Sequence, residues 1–500
     1  MNPVTRSERL IPLSQSPLHL VLPLVFLAGM FFFHPFRQIF EMGKDEGGQV
    51  MKALLLARGY SLYSEIWSDQ PPVLTYLQAA GIRAFNADVD DARVLVMLLS
   101  TALLAAAAHT LRLNWGLGHA LFGVVLITLL PFFTTLSAAV MVGLPAISLA
   151  VVALAAHVAW HRQRKELYLV LSAFFLALSI FTKLFTVILA PIFALGLLLD
   201  ERARLGKSIA WRDLLRPALV WSLFFAAFSL AAVLLMIGPA NLGQLLFTHL
   251  NARDMVLVNL PISWWLRDSW PILLLAGVGS LFTILERRWL SLYLIAWVVS
   301  AYLLLTVHRP VFYHHQLLVT VPAAMLAGIA AGEAFRWIPR MIRSRLFLNE
   351  RTLLSVLALA GFAASLALRL PLTLPDFYRA PQFQKKAANS TWPEQQQMFL
   401  TKMANHAPET HWIVTDLPMY AFRAGLVNPP YLSFITAKRL YTGELTEEKI
   451  IAVIAQYRPE QVMIGRREFP MVKAYLQADY RLLYDRGKRY LYLRKDLKGR

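Results

Sequence analysis

Residues 20–33 read "LVLPLVFLAGMFFF", an apolar run without a charged side chain. A helix needs about 20 mostly apolar residues to cross the core of a bilayer, and runs of this kind recur through a chain of 500 residues that is 57% hydrophobic. The sequence therefore predicts a polytopic α-helical membrane protein. We predict about eleven transmembrane helices, near residues 16–35, 91–112, 116–136, 138–160, 166–182, 184–200, 214–237, 270–286, 289–307, 316–335 and 351–371.

The first apolar run is preceded by Arg6 and Arg9 and is longer than the core of a secretory signal. No small-x-small cleavage site follows it, so we interpret it as a retained signal anchor. The chain has no cysteine, which excludes disulfides, thiolate catalysis and thiolate metal sites.

The net charge of +19 has an explanation that does not require nucleic acid. Basic connections at residues 161–165, 201–216, 286–288 and 336–345 fall on the same side of the predicted spans as the N-terminus. The positive-inside rule makes that side cytoplasmic. We therefore expect a multi-pass protein of the cytoplasmic membrane with a cytoplasmic N-terminus, a lipid bilayer as partner and no nucleic acid.

The opposite side then holds residues 36–90, hereafter the first loop, together with residues 238–269, 308–315 and everything after about residue 372. We predict a membrane domain over residues 1–372 and a small extracytoplasmic α/β domain over residues 373–500. In the latter, residues 411–416 and 460–465 are typical of short buried strands, and residues 446–457 of a helix that begins after Thr446. The chain ends in a predicted hairpin that turns at Arg486-Gly487.

Three of the acids in the first loop are candidate functional residues. Asp45 and Glu46 lie in "MGKDEGGQ" (residues 42–49), and Asp69 lies in "WSDQPP" (residues 67–72). Between them, "GQVMKALLLARGYSLY" has the apolar spacing of an amphipathic helix, which we expect to lie on the membrane surface. The acids have a simpler interpretation as polar residues at a helix exit, but long loops between spans are usually functional.

Cations are predicted on the same face. Lys183 interrupts the apolar stretch "LALSIFTKLFTVILAPI" (residues 176–192), where it either snorkels to the surface or binds an anion. The segment "VHRPVFYHHQ" (residues 307–316) adds His308, Arg309, Tyr313 and His314. Arginine suits a phosphate because its charge is permanent and its donors are forked. Adjacent histidines on a helix point apart, so we assign no metal ligands to this segment.

Transfer of a sugar from a polyprenyl-phosphate carrier would use both kinds of residue. A carboxylate would deprotonate the acceptor hydroxyl, and cations would hold the phosphate that departs. A single displacement of this kind would invert the anomeric carbon. The runner-up hypothesis is a transporter or flippase of a lipid-linked or acidic solute, and a third is a non-catalytic envelope scaffold. Transporters usually show two related halves, whereas here the unusual residues gather on one face.

The stretch "FEMGKDEGGQVMKALLLARGYSLYSEIWSDQPPVLTY" (residues 40–76) resembles the first outer loop of the glycosyltransferase C superfamily. It is similar in particular to bacterial relatives of dolichyl-phosphate-mannose protein mannosyltransferases (family 39) and to aminoarabinose transferases. The similarity continues through the turn at Lys183 and the aromatic-basic segment before "VPAAMLAG" (residues 321–328). It implies a lipid-linked donor, an inverting mechanism and an active site between the membrane and the outer face.

The resemblance also implies roles for residues. Asp45 matches the general base, and Lys183 matches a phosphate-contacting lysine. We group Glu46 and Asp69 with Asp45 as catalytic residues, and we expect Glu46 to orient the loop or contact the sugar and Asp69 to contact the acceptor or the sugar. We expect the donor phosphate to be bound by Lys183, Arg309 and His308, and the sugar or acceptor by Tyr60, Tyr63, Gln70, Tyr313 and His314. Metal use varies across the superfamily, so no cofactor is assigned. The expected partners are a polyprenyl-phosphate-linked sugar and a lipid, glycan or protein acceptor.

Two departures limit the resemblance. Aminoarabinose transferases typically have Glu-Lys-Pro where this chain has Asp69-Gln70-Pro71, so that acceptor is disfavoured. Protein mannosyltransferases carry an extra lumenal domain between spans that this sequence does not contain. The sugar and the acceptor are therefore left open.

Overall fold

The computed structural model describes residues 17–205, 211–251, 261–288, 291–308, 310–343, 350–378 and 392–497. Most of these residues are helical, and one small sheet lies near the C-terminus. The predicted class, a helical membrane protein with a small C-terminal α/β part, is therefore confirmed.

The α-helices of the first 378 residues follow one another with few long connections. They are α1 (Val21–Phe32), α2 (Glu46–Ala57), α3 (Val73–Ala84), α4 (Val89–Asn114), α5 (Leu117–Thr128), α6 (Phe133–Ala138), α7 (Gly143–Gln163), α8 (Glu166–Ile180), α9 (Leu189–Leu205), α10 (Trp211–Ala232), α11 (Leu242–Asn251), α12 (Ile262–Leu266), α13 (Trp270–Leu285), α14 (Leu292–Val307), α15 (Leu317–Arg343) and α16 (Glu350–Thr373).

Eight helical segments of the described residues are long and apolar enough to cross a membrane. Three further apolar helices are shorter, and they coincide with α5, α8 and α14. Together these segments match the eleven predicted positions, and the number of helices that cross the bilayer stays a prediction.

Small residues let the central helix α15 pack closely against its neighbours. A Cβ atom on Gly279 of α13 would lie 1.9 Å from the carbonyl oxygen of Leu326 in α15. A Cβ atom on Gly328 of α15 would lie 2.5 Å from the Cα atom of Gly123 in α5. Close backbone approach at glycines is typical of helix packing in membranes, where van der Waals contact replaces the hydrophobic effect.

The C-terminal region, residues 392–497, is an α/β unit. Its helices are α17 (Trp392–Asn405), α18 (Pro418–Arg423), α19 (Ala437–Tyr441), α20 (Glu447–Tyr457) and α21 (Pro470–Asp479). The strands are β1 (Ile413–Thr415), β2 (Gln461–Ile464), β3 (Tyr480–Arg486) and β4 (Arg489–Arg494), in the order β1-β2-β4-β3. Strands β1 and β2 are parallel, and β4 is antiparallel to both β2 and β3.

Sequence reasoning located most of this unit. The two buried strands, the helix after Thr446 and the final hairpin are all present. The hairpin turns one residue later than predicted, because Arg486 pairs with Arg489 and leaves Gly487-Lys488 as the loop. Both loop residues have positive φ, at 58° and 67°, as a type I′ turn requires.

Helix α2 differs from its prediction. The segment is helical, as its apolar spacing indicated, but it is buried on all sides rather than lying on a membrane surface. The C-terminal region covers it at its two glycines. A Cβ atom on Gly47 would lie 2.5 Å from the backbone nitrogen of Met419, and one on Gly48 would lie 2.5 Å from the ring of Phe434.

The C-terminal region and the first loop form one packed body. Arg423 of α18 donates to the carbonyl oxygens of Ile39 and Phe40 at 3.0 Å each. A single apolar cluster contains residues of α2, of the first loop and of the C-terminal region. The domain boundary predicted near residue 372 stays a prediction, since residues 379–391 lie outside the described chain.

Candidate active site

Asp45 is the residue immediately before α2. An Asp at this position usually accepts a hydrogen bond from the first turn, but the Asp45 side chain makes no such capping bond. Its side chain is 51% accessible. Protein atoms nevertheless surround it, and this burial raises the pKa of the Asp45 carboxyl above its usual range. This combination is expected of a carboxylate that faces into a cleft.

Charges from four separate segments act on Asp45. The Arg466 guanidinium approaches it directly, with Nη2 4.0 Å from Oδ1 of Asp45. The charge of Arg466 lowers the pKa of Asp45, that of Asp69 raises it, and those of Lys183 and Lys52 lower it. Burial outweighs them, so the net shift is upward.

Glu46 occupies a different environment from its neighbour Asp45. Its side chain is fully buried and forms a two-pronged ion pair with Arg93, at 2.9 Å to Nε and 2.7 Å to Nη2. The same carboxylate accepts from the backbone N–H groups of Met42 (2.7 Å) and Val140 (3.2 Å). Both of its oxygens hold the first loop against the helices. The prediction of Glu46 as a catalytic residue stays a prediction, and these contacts are those of a residue that orients the loop.

Asp69 pairs with the C-terminal region. Its Oδ2 atom lies 2.6 Å from Nζ of Lys438 in α19, and its side chain is largely buried. The N–H of Val73, at the start of the next helix, donates to the carbonyl oxygen of Phe181 at 2.9 Å. This bond holds the segment of Asp69 beside the turn that carries Lys183.

Lys183 lies in the turn between α8 and α9. Its Nζ atom is 3.4 Å from Nε2 of His314 and 3.2 Å from Nε2 of His315. It also lies 4.9 Å from the ring centroid of Phe185. Burial lowers the pKa of Lys183 to about 7, although the charges of Asp45 and Asp69 act in the opposite direction.

Lys52 is a second buried amine of this cleft. It lies on α2, two turns after Asp45, and its Nζ atom donates to Oγ of Ser68 at 3.2 Å. Burial lowers its pKa to about 8, while the charges of Asp69 and Asp45 act to raise it.

The remaining predicted site residues fall into two groups. His314 lies beside Lys183, and the ring of Tyr313 lies 5.3 Å from that of His314. The Tyr313 hydroxyl is 3.8 Å from the sulfur of Met141. The ring of His308 lies 5.5 Å from that of His315. Arg309 lies outside the described residues.

Tyr63 and Gln70 shape the first loop. The Tyr63 hydroxyl donates to the carbonyl oxygen of Gln70 at 2.8 Å, and Tyr63 adopts the left-handed conformation with φ of 72°. Tyr60 lies apart from the acids, with its ring 6.1 Å from that of Trp412. It lines a cavity of about 370 Å³ together with Arg83.

A second cavity, of about 400 Å³, lies between the first loop, α11 and the C-terminal region. Its walls include Trp67, Gln244 and Tyr431, and Gln244 donates to the carbonyl oxygen of Ser68. Neither of these two cavities includes Asp45 or Lys183 in its walls. The second one therefore borders the segment of Asp69 rather than the cleft of Asp45.

The site thus combines an accessible carboxylate with several amines. Asp45 can accept a proton from a hydroxyl group that enters the cleft. Lys52 and Lys183 can bind an anion, because buried amines gain most when an anion replaces the missing solvent.

Sequence reasoning missed Lys52, Lys438 and Arg466. Lys52 had a signal, since it is a lone cation in the apolar segment "VMKALLL" (residues 50–56). Lys438 and Arg466 had none, because each lies in a polar stretch that is far from the first loop along the chain. Arg466 is held in place by Asp416 after β1, which accepts from the N–H groups of Gly465, Arg466 and Arg467.

Comparison with known proteins gives one family match. The family model of dolichyl-phosphate-mannose-protein mannosyltransferases matches residues 69–230. This range includes Asp69 and Lys183, but Asp45 and the C-terminal region lie outside it. No curated protein sequence matches the chain.

Solved structures extend the likeness to nearly the whole chain. ArnT from Cupriavidus metallidurans bound to undecaprenyl phosphate has 13% sequence identity and a TM-score of 0.64, with 95% of this chain and 97% of ArnT covered. The apo state of the same protein gives 14% identity and a TM-score of 0.63 over the same shares.

A third relative is the archaeal oligosaccharyltransferase AglB from Archaeoglobus fulgidus, in complex with an inhibitory peptide and a dolichol-phosphate. It has 12% identity and a TM-score of 0.53, with 90% of this chain and 69% of AglB covered. At these identities the structures establish a shared fold. Together with the family match, they confirm the resemblance to the glycosyltransferase C superfamily that the sequence predicted.

Proposed function

We propose that this chain, a mannosyltransferase- and ArnT-like protein of the glycosyltransferase C superfamily, is an inverting glycosyltransferase. It would transfer a sugar from a polyprenyl-phosphate donor to a hydroxyl group of a lipid, glycan or protein. The observation that carries this proposal is the accessible carboxylate of Asp45 in a cleft where Lys52, Lys183 and Arg466 act on it electrostatically.

Asp45 serves as the general base of the reaction. The acceptor oxygen attacks the anomeric carbon while its proton passes to Asp45. The bond between the anomeric carbon and the phosphate oxygen breaks, and the electron pair leaves with the polyprenyl phosphate. One displacement of this kind inverts the anomeric configuration. The raised pKa of Asp45 makes it a stronger base than an ordinary aspartate, provided that it is ionised when the acceptor enters.

The amines stabilise the departing phosphate. Lys183 lies against His314 and His315, so its ammonium group is held in one position before the donor binds. Negative charge accumulates on the phosphate as the bond breaks, and fixed cations stabilise that charge most in a site that excludes water. We also assign Arg309 to the phosphate, on its sequence position alone. Asp69 contacts the acceptor or the sugar, together with Lys438.

Arg466 of the C-terminal region also influences the protonation of Asp45. Arg466 donates to the backbone carbonyl of Lys44 at 2.9 Å and approaches the Asp45 carboxylate. It would favour the ionised form of the base. This contact supports a catalytic unit that includes both the first loop and the C-terminal region.

A direct test uses purified protein and a radiolabelled polyprenyl-phosphate sugar. The proposal predicts release of polyprenyl phosphate and a labelled product of inverted anomeric configuration. Movement of intact donor across proteoliposomes without bond cleavage would instead identify a transporter. If the protein binds the donor but neither cleaves nor moves it, the protein would be a binding scaffold. A lipid and glycan analysis of a deletion strain names the acceptor.

The orientation is a separate proposal. Basic connections at residues 161–165 and 201–216 support a location of the first loop and the C-terminal region on the outer side of the cytoplasmic membrane. We expect alkaline phosphatase fused after Arg500 to be active, because this reporter functions only after export. Activity of a cytoplasm-dependent reporter at the same position would overturn the orientation.

A further inference from the structure

A compact group of potential metal ligands lies at the end of the helical bundle remote from the first loop. It consists of His157 and His161 of α7 and Asp200 of α9. One ring nitrogen of each histidine and a carboxylate oxygen of Asp200 all lie within 4.8 Å of one another. Among the described residues, this is the one group of three or more potential ligands whose ligand atoms lie this close together.

This group is distinct from the candidate active site. Helix α7 begins at Gly143, where a Cβ atom would lie 3.9 Å from Nζ of Lys183. His157 follows 14 residues later on the same helix, which at 1.5 Å per residue is about 21 Å along its axis. The transfer reaction proposed above therefore does not use these side chains.

The local helix geometry directs both histidines to one side. His157 and His161 are separated by four residues, so they lie one turn apart on the same face of α7. Helix α9 runs beside this face and presents Asp200. Two histidines at this spacing with a carboxylate from a second helix form a ligand set that zinc commonly uses.

The three side chains are withdrawn from solvent, but their hydrogen bonding is incomplete. The side chains of His161 and Asp200 are 6% and 9% accessible, and His157 is fully buried. Among the described residues, His157 Nδ1 has no hydrogen-bond partner. His161 Nε2 lies 2.5 Å from Oδ2 of Asp200, yet this approach lacks the geometry of a hydrogen bond. Buried nitrogens left in this way are costly unless another group satisfies them.

Tyr293 of α14 completes the surroundings of the group. Its hydroxyl donates to Oδ2 of Asp200 at 2.6 Å and lies 2.8 Å from Nε2 of His157. Gly196 of α9 makes room for the tyrosine ring, since a Cβ atom there would lie 2.2 Å from it. Hydrogen bonds of this kind orient the ligands of a metal site.

We propose that His157, His161 and Asp200 form a zinc site that joins α7 and α9 at this end of the bundle. In a tetrahedral site with metal–ligand distances of about 2.0–2.1 Å, ligand atoms lie about 3.3 Å apart. The His161 and Asp200 atoms must therefore separate by less than about 1 Å on binding. With neutral histidines, the carboxylate supplies a negative charge for the cation, and the fourth position remains open to water or another ligand.

The test measures zinc bound to purified protein by mass spectrometry after equilibrium dialysis against Zn²⁺. We expect about one zinc per wild-type chain. His161→Gln and Asp200→Asn should each bind at least about 10-fold more weakly. Tyr293→Phe keeps the ring and removes the hydroxyl, so it should weaken binding about 10-fold or more, as loss of an outer hydrogen bond typically does.

Two matched controls separate this site from others. His119 pairs with Glu333 at 3.0 Å and is buried, as His161 is. It belongs to no three-ligand group among the described residues. We expect His119→Gln and His314→Gln to keep wild-type zinc binding. Size-exclusion profiles identify variants that fail to fold. If the ligand variants fail to fold, zinc binding by Tyr293→Phe decides whether the site exists. The proposal is overturned if wild-type protein binds no zinc, or if His161→Gln, Asp200→Asn and Tyr293→Phe retain it.

Discussion

The two ends of the helical bundle carry buried charge in different ways. At the end with the first loop, Asp45, Lys52 and Lys183 influence one another without forming direct ion pairs among themselves in the described structure. At the remote end, ionisable groups meet in close pairs that contain a buried carboxylate, such as His119 with Glu333 at 3.0 Å and Arg204 with Glu201 at 2.7 Å.

The difference separates groups kept for stability from groups available to a ligand. A paired charge has its counter-charge within the protein, so folding alone satisfies it. Buried amines whose nearest partners are histidines and a hydroxyl gain much more from an incoming anion. The pattern of pairing therefore supports the proposal that the donor phosphate binds at the first-loop end.

The largest effect is expected at Asp45, the accessible acid of the first-loop end. Asp45→Asn keeps the size and hydrogen bonding of the side chain but removes its basicity. We expect turnover to fall by about 10²- to 10⁴-fold, the usual contribution of a positioned base, with donor affinity largely unchanged. The measurement is a single-turnover assay with radiolabelled donor.

Glu46, the residue after Asp45, provides the contrast. Glu46→Gln breaks a buried ion pair with Arg93, so its main effect should be loss of thermal stability rather than of the chemical step. Near wild-type turnover by Asp45→Asn would contradict the assignment of the base. The catalytic carboxylate would then have to be sought at Asp69.

The sequence was sufficient for the fold because long apolar runs have few alternatives to membrane helices. It was insufficient for α2, whose apolar spacing is the same whether its covering is lipid or protein. The deciding contacts come from Met419 and Phe434, more than 370 residues away along the chain. No local pattern in α2 predicts which partner covers it.

In the candidate site, too, local sequence indicated some residues, whereas others depend on distant contacts. Asp45, Asp69 and Lys183 were found because a charged residue near a membrane span is unusual in its local context. Lys438 and Arg466 were not found, since a lysine or arginine in a polar segment is ordinary. Their places beside Asp69 and Asp45 follow from the docking of the C-terminal region, which only tertiary structure reveals.

The next largest effect is expected at Lys183, the amine of the first-loop end with a pKa of about 7. Lys183→Met should weaken donor binding by roughly 10- to 100-fold, the worth of one charge-assisted hydrogen bond. In wild-type protein, Lys183 loses its proton as pH rises through about 7, so binding above that pH must take up a proton. Donor affinity should then fall by up to about 10-fold per pH unit.

Titration calorimetry in two buffers of different ionisation enthalpy measures this proton uptake directly. The donor is a phosphodiester and does not itself titrate near pH 7, which leaves the protein as the source of the effect. Lys183→Arg is the matched control, because arginine stays charged and should bind with little pH dependence. Wild-type affinity in Lys183→Met would exclude Lys183 from phosphate binding.

A smaller effect is expected from Gly47, where the C-terminal region contacts α2. Gly47→Ala places a methyl group 2.5 Å from the backbone of Met419, and overpacking of this kind typically costs about 1–3 kcal/mol. We expect a lower melting temperature together with reduced turnover, because α18 must move and Arg466 belongs to the same region. Gly81→Ala in α3 is the control, since no described residue outside the adjacent helix backbone lies within 4 Å of its Cβ position.

The smallest effect is expected at Arg216, at the remote end. Its ion pair with Glu166 is exposed, with side chains 71% and 61% accessible, so water screens the attraction and side-chain entropy opposes it. Exposed pairs of this kind contribute about 0–1 kcal/mol. Arg216→Gln should therefore leave both the melting temperature and the turnover close to wild type, whereas Lys183→Met at the other end weakens donor binding. Equal losses of donor affinity in the two variants would show that net positive charge, rather than the position of Lys183, attracts the donor.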